Sequence, residues 1–298
     1  MSLSSVRVQI VLLQEKLKIV WKRIIIFIFT PSVHSSNRVL FPIMNASALY
    51  DECASSNPSS AEDLVICLTD YLLKANQAEK DLIARNNEYT RNVFIIMSAS
   101  LVFFMQAGFA MVCAGAVRKK NLHNTMLKNL LDACGASVAF YSVGYAFAFG
   151  DGSNPNGFIG TTNFFLMGVE DVAFWLYQYA FSAASATILA GTLAERCQMA
   201  AYFYYTMLLS GFVYPVVVHA LWSKYGFLSA SNQDKPFLGV GAVDVAGSGV
   251  VHTTGGITAL VATYVLGPRR GRFHDEQTGV PLETPKDIKG HNISLQVR

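Results

Sequence analysis

An acid and an imidazole lie at the start of the last long apolar segment of the chain. Asp244 precedes residues 245–266, which carry no formal charge, and His252 lies two turns into them. A segment of this length can cross a bilayer as a helix, and ionisable groups at membrane depth are costly and usually mark a path or a site. His252 is therefore the first candidate for function. A neutral imidazole can donate from one nitrogen and accept with the other, so it can relay a proton.

Asp244 and Ser248 each have a simpler role that competes with this interpretation. The Asp244 carboxylate can cap the N-terminus of the helix that follows it. Ser248 and His252 are four residues apart and share a helix face, which raises a serine hydrolase as an alternative. However, the sequence has no Gly-x-Ser-x-Gly turn, and a serine within a helix has a local backbone partner. The histidines show no metal-ligand spacing, so we expect no bound metal. We also expect that the chain is not an enzyme and binds no cofactor.

Aromatic residues form a second group with chemical potential. Phe174, Tyr177 and Phe181 are three and four residues apart, so they share one helix face. These rings either belong to an interfacial belt that packs helices, or they narrow a pore. Trp222, at the end of the fourth apolar segment, is either a belt tryptophan or the π-face of a cation site.

The composition indicates an all-α membrane protein that positions these groups on transmembrane helices. The chain has 298 residues, of which 52% are hydrophobic and 14% charged, against about 25% charged in soluble domains. The net charge of +3 comes without a basic stripe, so nucleic acid is not an expected partner. Five apolar segments are each long enough to span a bilayer: residues 93–117, 129–149, 172–194, 199–222 and 245–266.

The charges of the connecting loops predict the orientation. Four basic residues and no acid lie in residues 118–128, and three arginines follow the fifth segment. Residues 150–171 contain three acids and no Lys or Arg. By the positive-inside rule, the loops after the first, third and fifth segments are cytoplasmic, and the chain enters the membrane from outside. We thus expect an integral membrane protein with its N-terminal side outside.

The flanking regions complete the predicted domain organisation. Residues 1–43 form a basic N-terminal extension of unclear role, and residues 44–92 are polar, with an expected short amphipathic helix leading into the five-helix region of residues 93–267. Asn45 begins a glycosylation sequon that fits an outside location. Cys53 and Cys67 lie where oxidation is allowed, so a bridge either between them or between subunits stays open. Residues 268–298 are read as a cytoplasmic linker and the truncated start of a sixth helix.

Several motifs in order give the chain a resemblance to a known family. The stretch from Asp244 to His252 resembles the signature of the ammonium transporter family, which is related to the Rhesus glycoproteins. In these motifs, the residues resemble those of the plant-type eukaryotic branch more than those of the Rhesus proteins. The other matching motifs are Gln106-Ala-Gly-Phe-Ala-Met111, Lys128-Asn-Leu-Leu-Asp132, Gly191-Thr-Leu-Ala-Glu-Arg196 and Gly290-His-Asn-Ile293.

The resemblance implies a fold, an activity and roles for five residues. The fold is an eleven-helix bundle of two inverted five-helix halves plus a last helix, and this chain corresponds to the first inverted repeat. The activity is ammonium transport by a homotrimer in the plasma membrane, with methylammonium as an analogue. Trp222 matches an aromatic residue of the outer vestibule, Phe181 a gate phenylalanine with Tyr177 beside it, His252 a pore-lining histidine, and Asp244 the acid that supports the site.

The chain departs from the family pattern at its end. In the family, the sixth and tenth helices supply a second gate phenylalanine, a vestibule serine and a second pore histidine, and this sequence ends at Arg298 before them. We therefore expect a truncated transporter subunit that holds half of the pore wall. The alternative is a non-conducting regulatory or dominant-negative subunit that joins mixed trimers with full-length homologues.

Overall fold

The structure is a computed structural model that describes residues 53–54, 60–152, 156–232, 234–292 and 294. The N-terminal extension 1–43 and the sequon residue Asn45 lie outside the described residues. The chain divides into two compact units, residues 1–81 and residues 82–298, which are described separately. The described part of the chain is helical and has no named strand.

Among the described residues, five helices are long and apolar enough to cross a membrane, as the hydropathy pattern predicts. Two short 3₁₀ turns lie in the loops, at Phe164–Leu166 and Phe237–Gly239. The five long helices are α1 (Ala61–Ala116), α2 (Lys119–Phe149), α3 (Val172–Leu193), α4 (Met199–Trp222) and α5 (Ser248–Leu266).

Three helix boundaries differ from those predicted. The expected short amphipathic helix is part of α1, which is continuous because no Gly or Pro interrupts the sequence between residues 61 and 107. Helix α2 begins at Lys119, before the apolar segment 129–149. Helix α5 begins at Ser248 and not at residue 245, because Ala246 and Gly247 both have left-handed φ angles (56° and 76°) that a right-handed helix cannot include.

The unit formed by residues 1–81 contains the disulfide that the sequence left open. Cys53 is bonded to Cys67, so the bridge lies within the chain. An exposed ion pair between Asp70 and Lys74, 2.7 Å apart and four residues apart in sequence, lies on the N-terminal part of α1. A surface pair of this kind contributes at most a few tenths of a kcal/mol to helix stability.

In the unit formed by residues 82–298, the core lies between α2, α3, α4 and α5. Helix α2 packs against α3 and α4, and α3 packs against α5. The buried side chains at the centre include Phe140, Tyr214, Val218, Val250 and Val251. Because Val250 and Val251 belong to the first turn of α5, the core anchors that turn directly. The start of α5 is therefore held by packing on its inner face.

Helices α2 and α4 each contain a π turn, at Phe140–Gly144 and Leu209–Val213. The two turns touch: a Cβ atom added to Gly144 would lie 2.4 Å from the carbonyl oxygen of Ser210. Pro215 follows the second turn by two residues. Proline has no N–H for the carbonyl four residues before it, and its ring crowds that carbonyl, so a widened turn at this place accommodates it.

The loops that follow α1, α3 and α5 meet at the carboxylate of Glu195. It accepts hydrogen bonds from Arg118 N (3.0 Å), Arg118 Nε (3.1 Å) and Asn121 Nδ2 (2.7 Å), and lies 3.7 Å from Arg269. Burial acts to raise the pKa of Glu195, but the hydrogen bonds from Asn121 and Arg118 outweigh it and hold the pKa below its ordinary value. The ends of the three odd-numbered helices are thereby joined at one end of the bundle.

Candidate functional site

Tyr177, Phe181 and Trp222 form a chain of ring contacts. The Tyr177 and Phe181 rings are 4.9 Å apart and the Phe181 and Trp222 rings 5.8 Å apart, both edge to face. All three side chains are half-buried. Phe174, on the same predicted face of α3, packs instead against Phe149 at 5.3 Å. The structure thus brings the three sequence-predicted ring residues together, with two contributed by α3 and one by α4.

Asp244 holds the backbone that starts α5. One carboxylate oxygen accepts a hydrogen bond from the N–H of Gly249 at 2.7 Å, and the other accepts from the N–H of Val250 at 3.3 Å. These are first-turn N–H groups, which have no partner within the helix. Asp244 therefore caps α5 from outside the helix, across the left-handed residues that separate it from Ser248.

Gly247 connects the cap to the rings. Its φ angle is 76°, and an added Cβ would lie 2.5 Å from Cγ2 of Val251 and 3.7 Å from Cη2 of Trp222. A side chain at this position would thus be both strained and in collision with α5. Because no side chain intervenes, the turn lies directly beside the edge of the Trp222 ring.

His252 is oriented by the same glycine. Its backbone N–H donates to the Gly247 carbonyl at 3.0 Å, and its ring Nδ1 lies 3.1 Å from the same oxygen. A carbonyl oxygen can only accept, so Nδ1 carries a proton, and in the neutral ring Nε2 is then the acceptor. The side chain is exposed on the surface of the described chain. The ring therefore offers an acceptor nitrogen on the surface of α5.

The geometry does not support the hydrolase alternative. The Ser248 carbonyl accepts a hydrogen bond from Thr253 Oγ1 at 2.9 Å. Among the described residues, no hydrogen bond joins the Ser248 hydroxyl to His252, whose Nδ1 is engaged by Gly247. A nucleophile and its base must lie within hydrogen-bond reach of each other. Within the same residues, no group of three or more His, Cys, Asp or Glu side chains could hold a metal ion.

A second imidazole inside a span was not singled out from the sequence. His219 of α4 is 1% exposed, and its ring nitrogens lie 2.9 Å from the carbonyl of Ala148 and 2.8 Å from that of Asn156. The signal that selected His252, a histidine inside an apolar segment, applies equally to His219. The contacts show a structural role, because the ring ties the end of α2 to the loop that follows it.

A buried acid in α2 also lay outside the predicted site. Asp132 is 0% exposed and accepts hydrogen bonds from Thr206 Oγ1 at 2.7 Å and from the Tyr205 hydroxyl at 3.1 Å. One turn earlier, Lys128 Nζ lies 4.1 Å from the centre of the Tyr202 ring. These contacts join α2 to α4 and supply polar partners for groups that would otherwise be costly to bury.

Comparisons with known proteins agree on one family. The family model described as Ammonium Transporter Family matches residues 93–297. A curated relative from Solanum lycopersicum, "Ammonium transporter 1 member 3", is 49% identical over 209 residues, which are 69% of this chain and 43% of that protein. "Ammonium transporter Amt2" from Archaeoglobus fulgidus is 41% identical over 210 residues, which are 69% of this chain and 43% of that protein.

Solved structures show the same likeness. The chain matches a structure titled "Sensor Amt Protein" with a TM-score of 0.58 and 30% identity, covering 69% of this chain and 50% of the other. It matches Mep2 from Candida albicans with a TM-score of 0.54 and 29% identity, covering 69% of this chain and 44% of the other. The chain therefore spans half or less of the length of the proteins that it resembles.

Proposed function

The chain belongs to the ammonium transporter family, and from that premise we propose that it is an ammonium transporter subunit whose transport path passes Trp222, Phe181 with Tyr177 beside it, and then His252. The observation that carries this proposal is the close approach of the Trp222 ring, which contacts Phe181, to the turn that Asp244 caps. This contact supports a route on which an ammonium ion would meet first a π-face and then an acceptor nitrogen.

The rings are proposed to collect the cation. An ammonium ion over the face of a tryptophan is stabilised by roughly 0.5–2 kcal/mol, more when water is excluded. Trp222 is the last residue of α4 and is half-buried, so its ring can meet solvent and still contact Phe181. Phe181, with Tyr177 beside it, then narrows the path.

The imidazole is proposed to act where the cation loses its charge. A bare ion in an apolar core is so unfavourable that the usual outcome is loss of the charge by a proton shift. Nε2 of His252 can take the proton that ammonium gives up while Nδ1 stays bonded to Gly247, which leaves neutral ammonia and an imidazolium that can pass the proton on. Asp244 takes no part in this step directly; it fixes the turn from which the His252 ring projects.

The proposed setting follows from the loop charges and the family. The loops that meet at Glu195 are assigned to the cytoplasm by the positive-inside rule, which puts the N-terminal side and Trp222 outside. We further propose that the five spans form the first of two inverted repeats, that the membrane is the plasma membrane, and that the working unit is a homotrimer.

A second role is favoured by one observation. His252 and Thr253 are exposed along α5, so the described chain supplies one wall of the proposed path. A chain of this kind could join trimers of a longer homologue without conducting. Co-expression with the Solanum lycopersicum relative distinguishes the two roles: inhibition of its methylammonium uptake, with no uptake by this chain alone, would favour the non-conducting subunit.

Replacing Trp222 with alanine tests the cation site. In ammonium-transport-deficient yeast, we expect Trp222→Ala to raise the methylammonium concentration that gives half-maximal uptake about 2- to 30-fold, since the lost cation–π energy converts to that factor. Tyr204→Ala is the matched control, because Tyr204 lies on the same helix and is 73% exposed. Equal uptake curves for the two variants, at equal surface levels, would remove Trp222 from the site.

A further inference from the structure

Three arginines line one cavity at the end of the bundle where the loops meet. The cavity has a volume of about 520 Å³, and its basic lining consists of Arg196, Arg269 and Arg272. The rest of the lining is apolar and includes Ala116, Phe273 and Ile288. No carboxylate belongs to this lining. A cavity that combines three guanidinium groups with apolar walls is unlike the aromatic site on α3 and α4.

Each of these guanidinium groups is held in place by a backbone carbonyl. Arg196 Nε donates to Thr192 O at 2.8 Å, and its Nη1 donates to Gly267 O. Arg269 Nη1 donates to Ala116 O at 3.2 Å. These carbonyls lie at the C-terminal ends of α3, α5 and α1, where helices have unpaired acceptors.

The arginines keep most of their hydrogen-bonding capacity. Arg272 Nη1 donates to the carbonyl of Lys286 at 3.0 Å, which is the one hydrogen bond of its guanidinium group to the protein among the described residues. A guanidinium group has five N–H donors in a fixed plane. The carbonyl contacts of all three side chains use only one or two donors each, so the remaining donors are available to an anion inside the cavity.

The charges of these arginines are only partly balanced. Within the described chain, neither Arg196 nor Arg272 forms a salt bridge, and Arg269 lies 3.7 Å from Glu195. That carboxylate is already engaged by Arg118 and Asn121. Burial, and then the charge of Arg269, lower the pKa of Arg196, which indicates unrelieved repulsion between the two cations. An anion in the cavity would relieve it.

The position of the cavity indicates how its ligand is presented. The cavity lies where α1 ends at Ala116 and just past the end of α5 at Leu266, which is the level at which apolar spans give way to charged loops. Basic pockets between transmembrane helices at this level suit acidic headgroups, and planar guanidinium groups match phosphate oxygens in pairs. We propose that Arg196, Arg269 and Arg272 form a binding site for a phosphate group. The apolar lining favours a phosphate that is carried by a lipid tail.

Three ligands distinguish binding of the phosphate group from binding of the lipid tails. Binding to the purified full chain in detergent is measured for dioctanoyl phosphatidic acid, for dioctanoylglycerol, which has the tails alone, and for glycerol 3-phosphate, which has the headgroup alone. Phosphatidic acid should bind, and dioctanoylglycerol should not bind at this site. If glycerol 3-phosphate binds as tightly as phosphatidic acid, the phosphate comes from a soluble molecule. If it binds more weakly, the site takes a lipid.

Two arginines of one loop provide the variant and its control. Arg272→Gln should raise the Kd for phosphatidic acid about tenfold, since a charged hydrogen-bonded pair is lost. Arg270→Gln removes the same charge from the same loop. Arg270 lines the adjoining cavity but not this one, so its effect should stay within about twofold. Melting temperatures without ligand show that both variants fold. Equal weakening by both substitutions, or tight binding of dioctanoylglycerol, would overturn the proposal, and neither readout depends on transport.

Discussion

Asp244→Ala is expected to lower methylammonium uptake at least about tenfold in ammonium-transport-deficient yeast, the largest loss among the substitutions that leave the rings and the imidazole in place. The Asp244 carboxylate accepts the first-turn N–H groups of Gly249 and Val250. Loss of a cap of this kind costs about 0.5–2 kcal/mol. The substitution destabilises the turn whose Gly247 carbonyl orients His252, so the imidazole ring loses its fixed position. A small misplacement of a reacting group can cost on the order of 100-fold in rate.

A graded pair of substitutions makes this prediction sharper. Asp244→Asn keeps one oxygen that can accept from Gly249 but loses the second acceptor, so its uptake should fall between those of the wild type and Asp244→Ala. Asp234→Ala, an exposed aspartate in the same connecting loop, is the control and should leave uptake unchanged. If Asp244→Ala and Asp234→Ala transport equally well at equal surface levels, the cap has no role in placing the path.

Gly144→Ala is expected to cause the largest loss of stability. An added Cβ would lie 2.4 Å from the Ser210 carbonyl oxygen and 2.8 Å from Cδ2 of Phe140, so the π turns of α2 and α4 must move apart. Overpacking of a tight core typically costs about 1–3 kcal/mol, and a clash with backbone cannot be relieved by a change of rotamer. We expect a melting temperature in detergent lower by about 5 °C or more.

Gly108→Ala is the matched control for this change. Gly108 also lies inside a helix, α1, but an added Cβ would meet nothing within 4 Å. Alanine has the higher helix propensity, by roughly 0.5–1 kcal/mol, so this variant should be as stable as the wild type or more so. A Gly144→Ala protein that melts together with the Gly108→Ala protein would contradict the close contact between the two π turns.

The five spans were predictable because length and hydropathy decide whether a helix can cross a bilayer, and the structure has them. Their boundaries were less predictable. Lys119, Lys120 and Lys128 lowered the hydropathy at the start of α2, and Asp132 did so within the predicted segment. Lys128 and Asp132 are nevertheless buried, with an aromatic and a polar partner respectively. The sequence could not show these partners, because they come from α4 through tertiary contacts.

The candidate site could also be predicted only in part from the sequence. The three-and-four spacing placed Tyr177 and Phe181 on one face of α3, and the structure puts their rings in contact. The arrival of Trp222 from another helix required the folded chain. The separation of the capping residue Asp244 from the start of α5 at Ser248 also could not be predicted. It depends on Ala246, which adopts a left-handed φ of 56° that non-glycine residues rarely populate.

The arginine cavity shows the strongest limit of the sequence. The positive-inside rule uses Arg269 and Arg272 only as charges of a loop. Their convergence with Arg196, which follows α3, depends on carbonyls at the ends of three separate helices and on the carbonyl of Lys286. Because spacing within one segment carries no information on such convergence, a site built from several loops is visible only in three dimensions.

Whether His252 lines a transport path is tested most directly by methylammonium uptake by the chain with His252 replaced by alanine, in yeast that lacks its own ammonium transport. His274→Ala, an exposed histidine of the loop after α5, is the control. We expect the wild type and His274→Ala to take up methylammonium at the same rate. His252→Ala should lose at least about tenfold, as expected when a proton-relaying group is removed. Unchanged uptake by His252→Ala at equal surface levels, or no uptake by the wild-type chain, would contradict this expectation.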